Sequence, residues 1–215
     1  MRLYFIKTPR ILKQLFAKYT WSFSSNKKTI YLTFDDGPIP EVTEFVLDQL
    51  QQFNAKATFF CIGDNIRKHP AIFSRIITEG HSVGNHTFNH LNGWKSNNTS
   101  YLENIELAEK SIQQSYTSTN TQQKLFRPPY GKIKRSQARR LIAKGYKIIM
   151  WDVLSADFDK TVSKEKCVQN VLNNTQNGSI VVFHDSIKAS DKLYYTLPIL
   201  LQKFSERGYE FKVIS

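Results

Sequence analysis

From residue 29 onward the chain alternates between two textures. Short runs of β-branched and aromatic residues give way to longer stretches whose apolar positions recur at helical spacing. Strands are expected at 29–34, 57–62, 82–85, 125–127, 147–153, 179–183 and 209–214. Helices are expected at 41–52, 70–79, 101–116, 136–144, 164–175 and 193–207. Within 101–116, Leu102, Ile105, Leu107, Ala108 and Ile112 gather near one face. Strands separated by helices predict a parallel α/β arrangement, and rhythm alone allows either an open sheet or a barrel. The polar stretches 91–100 and 115–124 read as surface loops. No repeat and no break in composition marks a second domain.

Ahead of that rhythm lies a different segment. Residues 10–18 read as a short amphipathic helix with Ile11, Leu12, Leu15 and Phe16 on one face and Arg10, Lys13, Gln14 and Lys18 around it. Such a helix either docks on its own domain or lies on a membrane surface. The apolar run at the start stops at Lys7, too short for the core of a secretory signal. No run approaches the ~20 residues of a membrane-spanning helix. The expected location is therefore cytoplasmic or peripheral to a membrane.

Composition narrows the class and charge adds a question. The chain has 215 residues, 40% hydrophobic and 22% charged, which excludes collagen-like, coiled-coil and wholly disordered readings. Two cysteines, Cys61 and Cys167, cannot build a disulfide framework or a four-thiolate metal site. The formal net charge is +12. Residues 1–34 hold seven basic residues and no acid, and residues 110–151 hold ten basic residues and no acid. A basic surface favours an anionic partner or is simply solvated. The helix at 136–144 carries Arg139, Arg140 and Lys144, but no aromatic residues are interleaved for base stacking, so no nucleic acid is expected.

In parallel α/β folds chemistry collects at the C-terminal ends of strands. Those ends here carry Asp35-Asp36-Gly37-Pro38, then His86 and His90, then Arg127-Pro128-Pro129-Tyr130-Gly131, then Asp152 and Asp157, then His184-Asp185. Two histidines four apart can reach one ion, and with a carboxylate they suit zinc or another divalent transition metal with open positions for water and substrate. Asp35 and Asp36 point in different directions, so one can ligate while the other takes a proton. His184 titrates near neutrality and is either a satisfied residue at the core edge or a proton donor.

Five motifs in order, Thr33-Phe34-Asp35-Asp36-Gly37-Pro38, His86-Thr87-Phe88-Asn89-His90, Arg127-Pro128-Pro129-Tyr130, Asp157-Phe158 and Val182-Phe183-His184, resemble those of the polysaccharide deacetylases, carbohydrate esterase family four. The resemblance runs from about residue 29 to residue 214, nearly the whole chain. It implies a single-domain, distorted (β/α) barrel of seven or eight units, similar to a TIM barrel. Residues 29–215 would be the catalytic domain and 1–28 a basic N-terminal segment. It implies that Asp36, His86 and His90 bind a divalent metal, usually zinc. Asp35 would be the general base and His184 the general acid. Arg127 would pair with Asp35, Asp157 would orient His184, and the Tyr130 N–H would help stabilise the oxyanion. Phe158 and Val182 would line the pocket for the acetyl methyl group.

The implied activity is removal of N-acetyl groups from N-acetylglucosamine-type sugars of chitooligosaccharide or peptidoglycan. The same residues would also serve an O-acetyl esterase of xylan-like glycans or a deacetylase of another small amide. A non-catalytic module binding glycan or nucleic acid is the remaining alternative. The partner is then an acetylated oligo- or polysaccharide, with an anionic envelope surface as a candidate partner for the basic segment. The chain departs from the family pattern at Leu154, where an Asp often stands, at Phe158, usually Trp, and at Val182, usually Leu. These changes keep an apolar wall, so a reshaped pocket is expected.

Overall fold

The computed structural model describes residues 4–24, 26–114 and 123–215. Its strands are β1 (Thr29–Asp35), β2 (Ala57–Cys61), β3 (Ser82–Asn85), β4 (Leu125–Phe126), β5 (Lys147–Ile148), β6 (Val153–Leu154), β7 (Ile180–His184) and β8 (Glu210–Phe211). Its helices are α1 (Arg10–Leu15), α2 (Val42–Gln52), α3 (Gly63–Lys68), α4 (Pro70–Thr78), α5 (Asn98–Gln114), α6 (Arg135–Ala143), α7 (Lys164–Asn174) and α8 (Ser190–Glu206). The strands are all parallel, in the order β5-β4-β3-β2-β1-β7-β6, with β8 paired to the start of β1.

The path is open, with no pairing between its two end strands, yet the chain keeps them near each other. β5 and β6 lie at opposite ends of the sheet and are joined by only four residues, Ile149–Asp152. Four residues span little more than ~15 Å, so the sheet must curl into a distorted barrel. The single strand expected at 147–153 breaks at this seam. Arg127 takes the carbonyls of Ile149 and Met150, which ladder partners would otherwise use. Met150 N–H goes instead to Thr20 and Asp152 N–H to Ile180.

β1, β2 and β7 are buried on both faces, as parallel strands covered by helices must be. Phe34, Phe59 and Phe183 stack across them in the main apolar cluster, which continues through Val46, Leu47 and Leu50 of α2 and Leu197 and Leu201 of α8. α3 has no counterpart in the periodicity: it is six residues long and ends at His69, where Pro70 starts α4. The loop expected at 91–100 is shortened by α5 and contains a tight 3₁₀ turn at Gly93–Lys95. Most of the loop expected at 115–124 lies outside the described residues.

α1 is shorter than the predicted 10–18, and its apolar face divides. Leu12 and Phe16 pack on the cluster of Trp21, Leu141 and Met150, whereas Ile11 and Leu15 are 78% and 62% exposed. No helix among the described residues is long and apolar enough to cross a membrane.

Candidate active site

The C-terminal strand ends open into a cleft of about 510 Å³ lined by Asp35, Asp36, His86, His90, Tyr130, Trp151, Leu154, Phe158, Val182 and His184, among others. All ten residues singled out from the sequence lie at or beside it. Asp35 closes β1, in register with Phe60 of β2 and His184 of β7. The chain then turns: Asp36 has φ 88, and its carbonyl accepts from Asn65 Nδ2 at 2.7 Å. Gly37 is required there by space, because a Cβ would fall 1.9 Å from Asp185 Oδ2. Its N–H donates to Asp185 Oδ1 at 3.0 Å, and Thr43 engages Oδ2 at 2.6 Å. Burial pushes the Asp185 carboxyl up to about 8 against those hydrogen bonds.

Asp36, His86 and His90 offer ligand atoms within 4.8 Å of one another. Asp36 Oδ1 lies 3.6 Å from His86 Nε2 and 3.2 Å from His90 Nε2. Each imidazole is fixed through its other nitrogen. His86 Nδ1–H donates to the Arg127 carbonyl at 2.8 Å, which leaves the Nε2 lone pair toward Asp36. His90 Nδ1 shares a hydrogen bond of 3.1 Å with the Tyr130 hydroxyl. Burial and then His90 pull His86 down to about 3, against Asp36; burial also lowers His90, opposed by Asp36 and Asp35. Both rings are therefore neutral, as metal ligands must be. Asp36 Oδ1 is buried with no hydrogen-bond partner among the described residues. An orphaned carboxylate oxygen beside two neutral imidazoles is the donor set of a divalent metal. Asp36, Thr87, His90 and Tyr130 all have left-handed φ, between 59 and 88. Strained backbone at non-glycine residues costs roughly 1–3 kcal/mol each and concentrates at working sites.

The other groups form two buried ion pairs. Arg127 is completely buried and lies 4.1 Å over the Phe60 ring. Its guanidinium donates to Asp35 Oδ1 and Thr33 Oγ1, both at 2.7 Å, besides the two seam carbonyls. Asp157 is buried; its Oδ1 takes His184 Nδ1 at 2.8 Å and its Oδ2 takes the His184 N–H at 2.7 Å. Burial works against a charged His184 ring, but Asp157, then Asp36 and Asp35, outweigh it and raise the ring to about 9. Val182 and Leu154 are in register on neighbouring strands, and Phe158 stands edge-on to His184 at 5.1 Å.

Some contributors gave no clear signal. Thr33 stands in the first motif and Asp185 at a strand end with no role that their residue types reveal, and nothing in the sequence marks Trp151 or Tyr4. Asp152, expected among the strand-end chemistry, faces elsewhere: it takes Lys7, Lys13 and Ser179.

The sequence profile described as polysaccharide deacetylase matches residues 23–149. Two Bacillus cereus proteins, each named peptidoglycan-N-acetylglucosamine deacetylase, are similar along most of the chain. One is 37% identical over 210 residues, 88% of this chain and 75% of its own length. The other is 34% identical over 197 residues, covering 91% of each. A solved peptidoglycan N-acetylglucosamine deacetylase, in complex with 4-naphthalen-1-yl-N-oxidanyl-benzamide, superposes with a TM-score of 0.86 at 34% identity, over 96% of this chain and 95% of that one.

Proposed function

Because the chain belongs to the polysaccharide deacetylase family, we propose that it removes N-acetyl groups from the N-acetylglucosamine units of a peptidoglycan-like or chitooligosaccharide glycan, with zinc bound by Asp36, His86 and His90. The observation that carries this reading is the split between adjacent carboxylates. Asp35 is paired to a buried guanidinium, and Asp36 turns an unpartnered oxygen toward two neutral imidazoles.

Zinc in such a set supplies a Lewis acid and lowers the pKa of water. The chain's own residues move the protons. Asp35, anchored through Oδ1 by Arg127, takes the proton of the attacking water as its oxygen bonds to the acetyl carbon. The Tyr130 N–H donates to the oxygen that becomes negative. His184 is held at Nδ1 by Asp157, so its Nε2 is left for the leaving nitrogen, and its raised pKa keeps it protonated at neutral pH. It delivers that proton as the C–N bond breaks, giving acetate and a free amine. Phe158 and Val182, with Leu154, form the apolar wall for the methyl group.

All of these roles fall within 29–215. The basic segment 1–28 brings the enzyme to an anionic envelope surface, supported by exposed Phe5, Ile11 and Leu15 beside exposed Arg10 and Lys18. The test of the reaction is acetate release from N-acetylglucosamine oligomers by chelated protein and again after zinc is restored. Release only with zinc is the expected result. Activity on acetylated xylan esters alone would reassign the substrate, and no release from either would sink the reading.

A further inference from the structure

One side chain from outside the barrel reaches the cleft. Tyr4 lines the same cavity as Asp36, His90 and His184. Its ring meets Phe158 edge-on, with centroids 5.5 Å apart and planes at 62°. Phe158 in turn meets His184 edge-on. The Tyr4 hydroxyl donates to the Asp159 carboxylate while the residue lines the cavity.

The segment behind Tyr4 is fastened to the broken strand. Lys7 bridges antiparallel to Val153, Leu154 N–H donates to Ile6 at 2.9 Å, and Thr8 N–H donates to Asp152 at 2.9 Å. The ammonium groups of Lys7 and Lys13 sit on the two oxygens of the fully buried Asp152, at 2.6 and 2.5 Å. Burial alone would raise the Asp152 pKa, but Lys13, Lys7 and Ser179 together hold it below the ordinary carboxylate value. A backbone held by the two hydrogen bonds of this bridge and by two ion pairs positions the Tyr4 ring.

We infer that this N-terminal strap is part of the substrate site, with Tyr4 a specificity-determining residue that stacks on a pyranose ring of the acetylated glycan. The inference rests on the deacetylase reading above. A pyranose presents C–H bonds on its faces, and a rigid aromatic ring buries them with little loss of side-chain freedom. The relay from Tyr4 through Phe158 to His184 puts the ring beyond the acetyl wall. That is the place of a sugar flanking the one being cut, rather than of the acetyl group itself.

The experiment titrates an N-acetylglucosamine tetramer into zinc-loaded protein by calorimetry, with Asp35→Asn as the parent to suppress turnover. Tyr4→Ala is expected to bind the tetramer about 3- to 10-fold more weakly, and Tyr4→Phe to stay within about twofold of the parent. Zinc binding is expected to be the same in all three. With Asp35 restored, the loss should appear in KM with kcat nearly unchanged, and should vanish for an acetylated monosaccharide. Equal tetramer affinity of Tyr4→Ala and the parent overturns the inference and leaves the deacetylase reading standing. A Tyr4→Phe as weak as Tyr4→Ala overturns it too, because the hold on Asp159 rather than the ring would then matter. A parent that neither binds tetramer nor, with Asp35 restored, releases acetate removes the deacetylase reading and this inference with it.

Discussion

Asp35 ends β1 with Oδ1 2.7 Å from a buried guanidinium, whereas Asp36, the next residue, stands at φ 88 with a buried oxygen that has no hydrogen-bond partner among the described residues. The same contrast runs through the whole cleft. On one side Asp35–Arg127 and Asp157–His184 are complete pairs, each charge answered by another and by hydrogen bonds. On the other side Asp36, His86 and His90 bring lone pairs together, and two of the three have left-handed backbone. The difference teaches how one fold separates two tasks. The groups proposed to move protons are held against their partners, and Asp157 raises the His184 ring. In the proposed site, burial keeps the two imidazoles offered to the metal neutral, and the surrounding fold carries the strained backbone of Asp36 and His90.

The contrast can be broken most severely on the ligating side. With the proposed zinc site, His86→Ala should lose bound zinc and at least about 1,000-fold in kcat/KM, measured by metal analysis beside acetate release. Undiminished activity without metal would erase the distinction. On the proton side, Asp35→Asn should keep zinc while kcat falls by about 100- to 10,000-fold. Full activity of that variant would make Asp35 a structural partner of Arg127 only.

A pH profile sharpens the division further. His184 must carry its proton to act as an acid, and its pKa is raised to about 9. Activity should therefore persist below that pH and fall as pH rises through it. Asp157→Asn removes the main group that raises the ring, so this limb should move down toward the ordinary imidazole value of about 6.5, with about a fourfold loss at pH 7. An unmoved limb would assign it to another group. The smallest expected effect is that of Tyr130→Phe, which keeps the ring but removes the hydroxyl at His90 Nδ1. Zinc affinity should fall about tenfold or less with little change in saturated kcat.

Much of this was legible before the fold was known, for a physical reason. Hydrophobic period reports which residues face a core, so strands such as Thr29–Asp35 and Ile180–His184 were located to within a residue. The ionisable residues at their ends followed from the strand assignments. The seam was not legible, because an apolar run such as 147–153 reads as one strand when its carbonyls belong to a side chain, Arg127, from elsewhere. Nor was the reach of Tyr4, since the segment around it has no periodicity and its position is set by Asp152, far along the chain. Asp152 misled for the same reason: a carboxylate at a strand end can be an anchor as well as a reagent. The backbone strain at Asp36 and His90 has no sequence mark, because neither residue is glycine.

The strap has a consequence for behaviour between molecules. The outermost strands, β5 and β6, would each offer open N–H and C=O groups to a second chain, the usual starting point of edge-to-edge aggregation. Thr20 lies along the β5 side and bonds the backbone of Ile148 and Met150, while Ile6 and Thr8, flanking Lys7, bond Leu154 and Asp152 along β6. Residues 6–8 and Thr20 thus cover the two edges, and a chain without them is expected to bare the seam and let copies of the chain add to one another.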